Sequence, residues 1–186
     1  SAFSNNGIAA STAVIGGFGG YEPVRGSDAS GSLNGGPSRV NNSVKLETLN
    51  YGGFKAGALV GLGEQAGGTN GTRTADIYGR YTGNGFDGML SYVDDKKASL
   101  GLNVRTISAA GAYDIANGYR VLAGVIKTDD RSIANADGVG YWLGGDYRVG
   151  ANTFKAQYVE SKLQGSGDGK TQAFGVGYQY DLSKRT

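Results

Sequence analysis

From Arg39 onward the chain alternates. Val40, Asn42, Val44 and Leu46 fall on one side of an extended backbone, and Arg39, Asn41, Ser43, Lys45 and Glu47 on the other. Phe54, Ala56, Ala58, Val60 and Leu62 oppose Lys55, Gly57, Leu59 and Gly61. Ala75, Ile77, Gly79 and Tyr81 oppose Asp76, Tyr78 and Arg80; Tyr141, Leu143, Gly145, Tyr147 and Val149 oppose Trp142, Gly144, Asp146 and Arg148. Phe174, Val176, Tyr178, Tyr180 and Leu182 oppose Ala173, Gly175, Gly177, Gln179 and Asp181. A period of two held over such lengths predicts β-strands, here about nine. The segment Tyr119 to Thr128 is apolar at both parities, so its strand has no legible inner side.

The breaks between strands are of two kinds. Short ones fall at Gly52-Gly53, Gly83-Asn84-Gly85, Ala116-Asn117-Gly118, Gly150-Ala151-Asn152 and near Leu182-Ser183. They recur roughly every 33 residues and have the composition of tight hairpin turns. Between them lie longer polar segments, Glu64 to Thr72, Asp94 to Leu102, Thr128 to Gly138 and Lys162 to Lys170. Strict alternation of short and long connections is the habit of outer-membrane barrels, with short periplasmic turns and long outer loops. Aromatic rings flank the short turns: Tyr51 and Phe54, Tyr81 and Phe86, Tyr113 and Tyr119, Tyr147 and Phe154, then Tyr178 and Tyr180. Rings at one end of successive hairpins predict a girdle at the lipid–water boundary. Residues 1–38 lack the pattern and read as one long glycine-rich loop, with Val14 to Phe18 as its compact apolar run.

Composition narrows the chemistry. The 186 residues contain no cysteine and no histidine, which removes thiolate and imidazole metal sites, disulfides and triads built on histidine. Thirty-five glycines beside twelve tyrosines and six phenylalanines suit β-structure with many turns rather than disorder. The net charge is +2 with signs mixed along the chain, so no nucleic-acid partner is expected. No run approaches the length of a transmembrane helix, and no signal-peptide pattern opens the sequence, but strands of about 9–11 residues can also cross a membrane.

Four stretches in order, Arg39-Val-Asn-Asn-Ser-Val-Lys45, Tyr51-Gly-Gly-Phe54, Gly61-Leu-Gly-Glu64 and Tyr178-Gln-Tyr-Asp-Leu-Ser-Lys-Arg-Thr186, resemble the general porins of Gram-negative bacteria, in particular the sixteen-stranded β-proteobacterial kind. The resemblance runs from Arg39 to the end. It implies an all-β fold, an antiparallel transmembrane β-barrel of which this chain holds about nine strands, without the first five and last two. It implies a homotrimer in outer-membrane lipid that passes small hydrophilic solutes and ions by diffusion, with no cofactor, metal or catalysis. By position, residues 1–38 match the family's infolded constriction loop. Glu22 and Asp28 would then be loop acids facing Arg39 and Lys45 on the wall. Other wall groups would be Glu47, Lys55, Asp76, Arg80, Asp87, Asp146, Arg148 and Lys155. A barrel serving as an adhesin or receptor scaffold through its loops is the alternative.

Remaining motifs have plainer readings. Gly83-Asn-Gly-Phe-Asp-Gly88 fits a dinucleotide pattern but is followed by a strand, where a helix N-terminus would be needed. Asn41-Asn-Ser43 and Asn70-Gly-Thr72 fit the glycosylation pattern, which a bacterial outer-membrane protein would not normally use. Asp129, Asp130, Asn135 and Asp137 lack the alternating spacing of a calcium loop, and Asp94-Asp95-Lys96-Lys97 reads as self-neutralising surface. Asp76 and Asp87 form the one carboxylate pair suited to acid–base work, with Arg80 near enough to neutralise it.

Overall fold

In the computed structural model the described residues are 42–62, 72–97, 102–131, 137–164 and 169–182. They form nine strands: β1 Ser43–Glu47, β2 Phe54–Gly61, β3 Thr72–Gly83, β4 Phe86–Lys97, β5 Leu102–Ile115, β6 Tyr119–Asp130, β7 Asp137–Val149, β8 Asn152–Gln164 and β9 Gly169–Tyr180. Each pairs antiparallel with the next in a single sheet, ordered β1 to β9. Among the described residues the sheet is open, with β1 and β9 as its edges. Residues 1–38, and with them Glu22 and Asp28, lie outside the described residues, as does Arg39.

Turn chemistry fixes the hairpins. Asn84 and Gly85 have φ of +52° and +76°, and Asn117 and Gly118 have +69° and +83°. Two successive positive values make the tight turn whose twist matches the flanking strands, and asparagine and glycine tolerate it best. At the first turn, Gly53 N donates to Asn50 Oδ1 at 2.9 Å, closing the loop from a side chain.

The strands are longer than the polar composition of their ends predicts. Asp94 to Lys97 belong to β4, Thr128 to Asp130 to β6, Asp137 and Gly138 to β7, and Lys162 to Gln164 to β8. Sequence reading assigns these to loops because they carry charge. In the sheet they simply continue the ladder past the apolar band, for example through Asp94 opposite Arg105 and Arg105 opposite Asp129.

One face is buried and the other exposed, as when a sheet curls toward one side. Leu59, Tyr78, Met89, Val93, Val104, Ala110, Ala112, Ile126, Trp142 and Val159 are buried, together with Thr74, Asp76, Asp87, Ser91, Asp95, Thr106, Ser108 and Thr128. The register puts them on a single face, since Asp76 is opposite Val93, Val93 opposite Thr106 and Thr106 opposite Thr128. The opposite face bears the exposed apolar groups, among them Val44, Phe54, Ile77, Leu90, Ile107, Val125, Leu143, Phe174 and Val176. The parity of β6 is now settled. Val121 and Val125 are exposed, whereas Ile126 is buried in a cluster with Met89, Ala110, Trp142 and Val159.

Candidate functional site

Most ionic groups of the buried face fall into two clusters toward the short-turn ends. The first spans β1 to β4. Glu47 lies 3.1 Å from Lys45 and 3.4 Å from Lys55, and accepts a hydrogen bond from the Tyr78 hydroxyl. Lys55 stands opposite Arg80 across β2–β3. Arg80 in turn donates from Nε and Nη2 to the two oxygens of Asp87, at 2.8 and 2.6 Å, and Thr82 adds a bond to the same carboxylate at 3.2 Å. A forked guanidinium on a carboxylate is the geometry that fixes both groups rather than merely attracting them. Asp76 takes no part: its carboxylate is buried and accepts no hydrogen bond. The Asp76–Asp87 carboxylate pair weighed from sequence therefore does not form, and Arg80 balances Asp87 alone. Asp76 is opposite Val93, and Asp87 is opposite Thr82.

The second cluster spans β5 to β9. Arg120 pairs with Asp114 at 2.8 Å and lies opposite Asp146, which lies opposite Lys155. Arg148 reaches Asp181 at 3.0 Å, and Gln179 donates to the same acid at 2.9 Å. These groups line an open hollow of about 650 Å³. Asp114, Arg120 and Asp181 were not singled out from sequence. The available signal was the neighbouring rings, because Tyr113 and Tyr119 face outward and so turn Asp114 and Arg120 to the other side.

Between the clusters and the long-connection ends runs a band of hydroxyls. Thr74 donates to Asp95 at 2.7 Å, Ser91 and Ser108 are 2.6 Å apart, and Thr106 and Thr128 are 3.4 Å apart. Asp95, read from sequence as wet surface, is thus a buried acceptor. Across this polar face an apolar stripe crosses obliquely from Met89 through Ala110 and Ile126 to Trp142 and Val159. No cluster of three or more acidic side chains able to hold a metal ion occurs among the described residues.

The nine sequence-nominated residues within the described segments, Lys45, Glu47, Lys55, Asp76, Arg80, Asp87, Asp146, Arg148 and Lys155, share the buried face. Lys45, Glu47, Lys55, Arg80 and Asp87 come together in the first cluster; Asp146, Arg148 and Lys155 belong to the second.

The exposed face ends in rings. Phe54 and Tyr81 have centroids 4.5 Å apart, Tyr81 and Phe86 6.3 Å, Tyr119 and Tyr147 4.3 Å, and Phe154 and Tyr178 5.3 Å. With Phe86 opposite Tyr113 and Tyr147 opposite Phe154, the row crosses β2 to β9 at the short-turn level. Polarizable rings with one wet end settle at such a boundary.

Comparison with known proteins agrees with this geometry. The model of the Gram-negative porin family matches residues 2–186. A porin refined at 1.8 Å resolution superposes with a TM-score of 0.61 at 18% identity, covering 75% of this chain and 51% of that one. The anion-selective porin from Comamonas acidovorans does so with a TM-score of 0.61 at 22% identity, covering 78% of this chain and 46% of that one. The chain therefore spans about half the length of these solved porins. No curated protein sequence matches it significantly.

Proposed function

This chain belongs to the Gram-negative porins, proteins of the bacterial outer membrane, and from that premise we propose that its nine strands form part of the wall of a water-filled pore. Small hydrophilic solutes and ions would cross by passive diffusion, without catalysis. The observation that carries the reading is the two-faced sheet: large exposed apolar side chains on one side, ionic and hydroxyl groups on the other. In lipid an unpaired strand edge is intolerable, so in such a wall the β1 and β9 edges would need partner strands. Homotrimeric assembly is proposed from the family alone.

The charges of the buried face would set the field across the lumen. Lys45, Lys55 and Arg80 lie beside Glu47 and Asp87, so bases and acids are intermixed across four neighbouring strands. We assign this cluster to the constriction wall, with Arg39 beside it and Glu22 and Asp28 on the loop as opposing acids. Asp76, Asp146, Arg148 and Lys155 would line the wall beyond it. Rings of fixed charge tune which ion passes. The scaffold alternative has no observation in its favour.

The test is planar-bilayer recording on the full-length porin that carries this segment. Stepwise conductance is expected, and K45E/K55E should move the reversal potential in a salt gradient toward cation preference. A silent protein would sink the pore reading. Normal steps with an unmoved reversal potential would sink only the assignment of Lys45 and Lys55.

A further inference from the structure

The two ionic clusters differ in what they leave unsatisfied. In the first, Glu47 is held by Lys45 and Lys55, and Asp87 by Arg80. The second is built as a row. Asp114 stands directly opposite Arg120, Arg120 opposite Asp146, and Asp146 opposite Lys155. Acid and base thus alternate without a break across four adjacent strands. Groups directly opposite one another have Cβ atoms about 5 Å apart, within easy reach of pairing.

Yet the row does not pair throughout. Arg120 turns to Asp114 at 2.8 Å, and Arg148, one level nearer the turn, goes to Asp181 at 3.0 Å. Asp146 and Lys155 make no hydrogen bond or ion pair with a described residue. Both are half-buried, and both line the open hollow of about 650 Å³. Withdrawing a charge from water is costly unless a partner replaces the hydration it loses. Here an acid and a base stand side by side, each with its valence open to the lumen.

Charge count selects the guest. Among the described residues the hollow is lined by three acids, Asp114, Asp146 and Asp181, and three bases, Arg120, Arg148 and Lys155. A guest of one sign gains at some of these groups and is repelled by the others, because like charges set together cost energy. A guest carrying both signs gains at each end. Its ammonium group would donate to Asp146, which only accepts, and its carboxylate would accept from Lys155, which only donates. Since the two side chains spring from neighbouring strands, the guest's own charges must also lie close together, as they do on a single carbon atom. The volume is in the usual range for a small-molecule site.

We propose that Asp146 and Lys155 form a subsite for small zwitterions of the α-amino acid class, at the short-turn, periplasmic end of the wall. The subsite rests on the pore reading in one respect: in the membrane, solute reaches this face only through the lumen.

The experiment is saturation-transfer NMR on the full-length porin in detergent, with L-alanine and lactamide as probes. These are isomers, the first zwitterionic and the second uncharged, and each has a methyl group to observe. Wild type should transfer saturation to alanine about threefold or more above lactamide, the scale of two partly exposed ion pairs. D146N/K155Q should bring the two probes level, and either single substitution should remove most of the difference. D146E/K155R, which keeps both charges, should retain it. Equal transfer to both probes in wild type would overturn the proposal, as would an undiminished alanine excess in D146N/K155Q. Lactamide influx into vesicles made from the same preparations reads the pore separately. An alanine excess in a protein that admits no lactamide would count against the pore and for the subsite; normal influx with no alanine excess would do the reverse.

Discussion

At Gly124 a missing side chain makes room for the chain's single tryptophan. A Cβ built there would lie 2.0 Å from Trp142 Cζ2, far inside contact distance. Gly124→Ala therefore pushes the indole off the stripe it shares with Met89, Ala110, Ile126 and Val159. We expect a shifted tryptophan emission maximum and a stability loss of about 1–3 kcal/mol, the usual scale for overpacking. An unchanged spectrum with an unchanged urea midpoint would refute it. The Arg80–Asp87 fork makes a second prediction. Asp87 is held by three bonds, two of them from Arg80. Asp87→Ala should cost about 1–3 kcal/mol, more than Thr82→Ala, because it strands a charge-assisted donor pair. A double-mutant cycle with Arg80→Ala should show coupling, and additivity would argue that the pair contributes nothing. That Arg80 selects Asp87 and leaves Asp76 could not be read from sequence, because the choice depends on register, and composition is silent on register.

Among the hairpins, the turns reward comparison. Gly118 has φ of +83° and a built Cβ would sit 2.2 Å from the Arg148 carbonyl oxygen, whereas Gly150 has φ of +59° and open space around it. Gly150→Ala should cost only the left-handed backbone term, about 1–2 kcal/mol. Gly118→Ala must also displace β7 backbone and should cost clearly more, read as a lower urea midpoint for refolding into vesicles. Equal midpoints would mean that the β6–β7 contact yields freely. These turns were legible, since glycine and asparagine at positive φ leave a mark in composition. Strand ends were not. Asp94 to Lys97 look like loop because they are charged, but a barrel wall continues beyond the hydrocarbon, where polar residues cost nothing. The inner side of β6 was also hidden, because Leu122 and Ile126 on one face are as apolar as Val121 and Val125 on the other. Only pairing with Trp142 and Asp146 on β7 reveals it.

For the molecule as a whole the exterior is the apolar side, the reverse of a soluble domain. Leu143 faces outward in mid-strand, and Gln157, opposite Gly144, faces the other way. Leu143→Arg should cost about 2–4 kcal/mol of folding free energy in bilayers, as charged residues do near the midplane of a barrel's lipid face. Gln157→Arg should fold normally and change ion selectivity. Folding titrations in lipid vesicles decide this, and equal tolerance of the two arginines would show that the faces are misassigned. The overall architecture was readable because the alternation, the turns and the rings each repeat. The first ionic cluster was readable only as parity: Lys45, Glu47, Lys55 and Arg80 share a side, yet their contacts had to be seen.

Because each described strand bonds to its neighbours in sequence, the wall is made of self-contained hairpin staves. The circumference of a barrel grows nearly in proportion to the number of strands. Gene duplication of one stave, cut at two short turns, would widen the bore by a fixed increment and leave each remaining seam intact. Evolution can thus regauge such a channel in discrete steps, without redesigning a single interface.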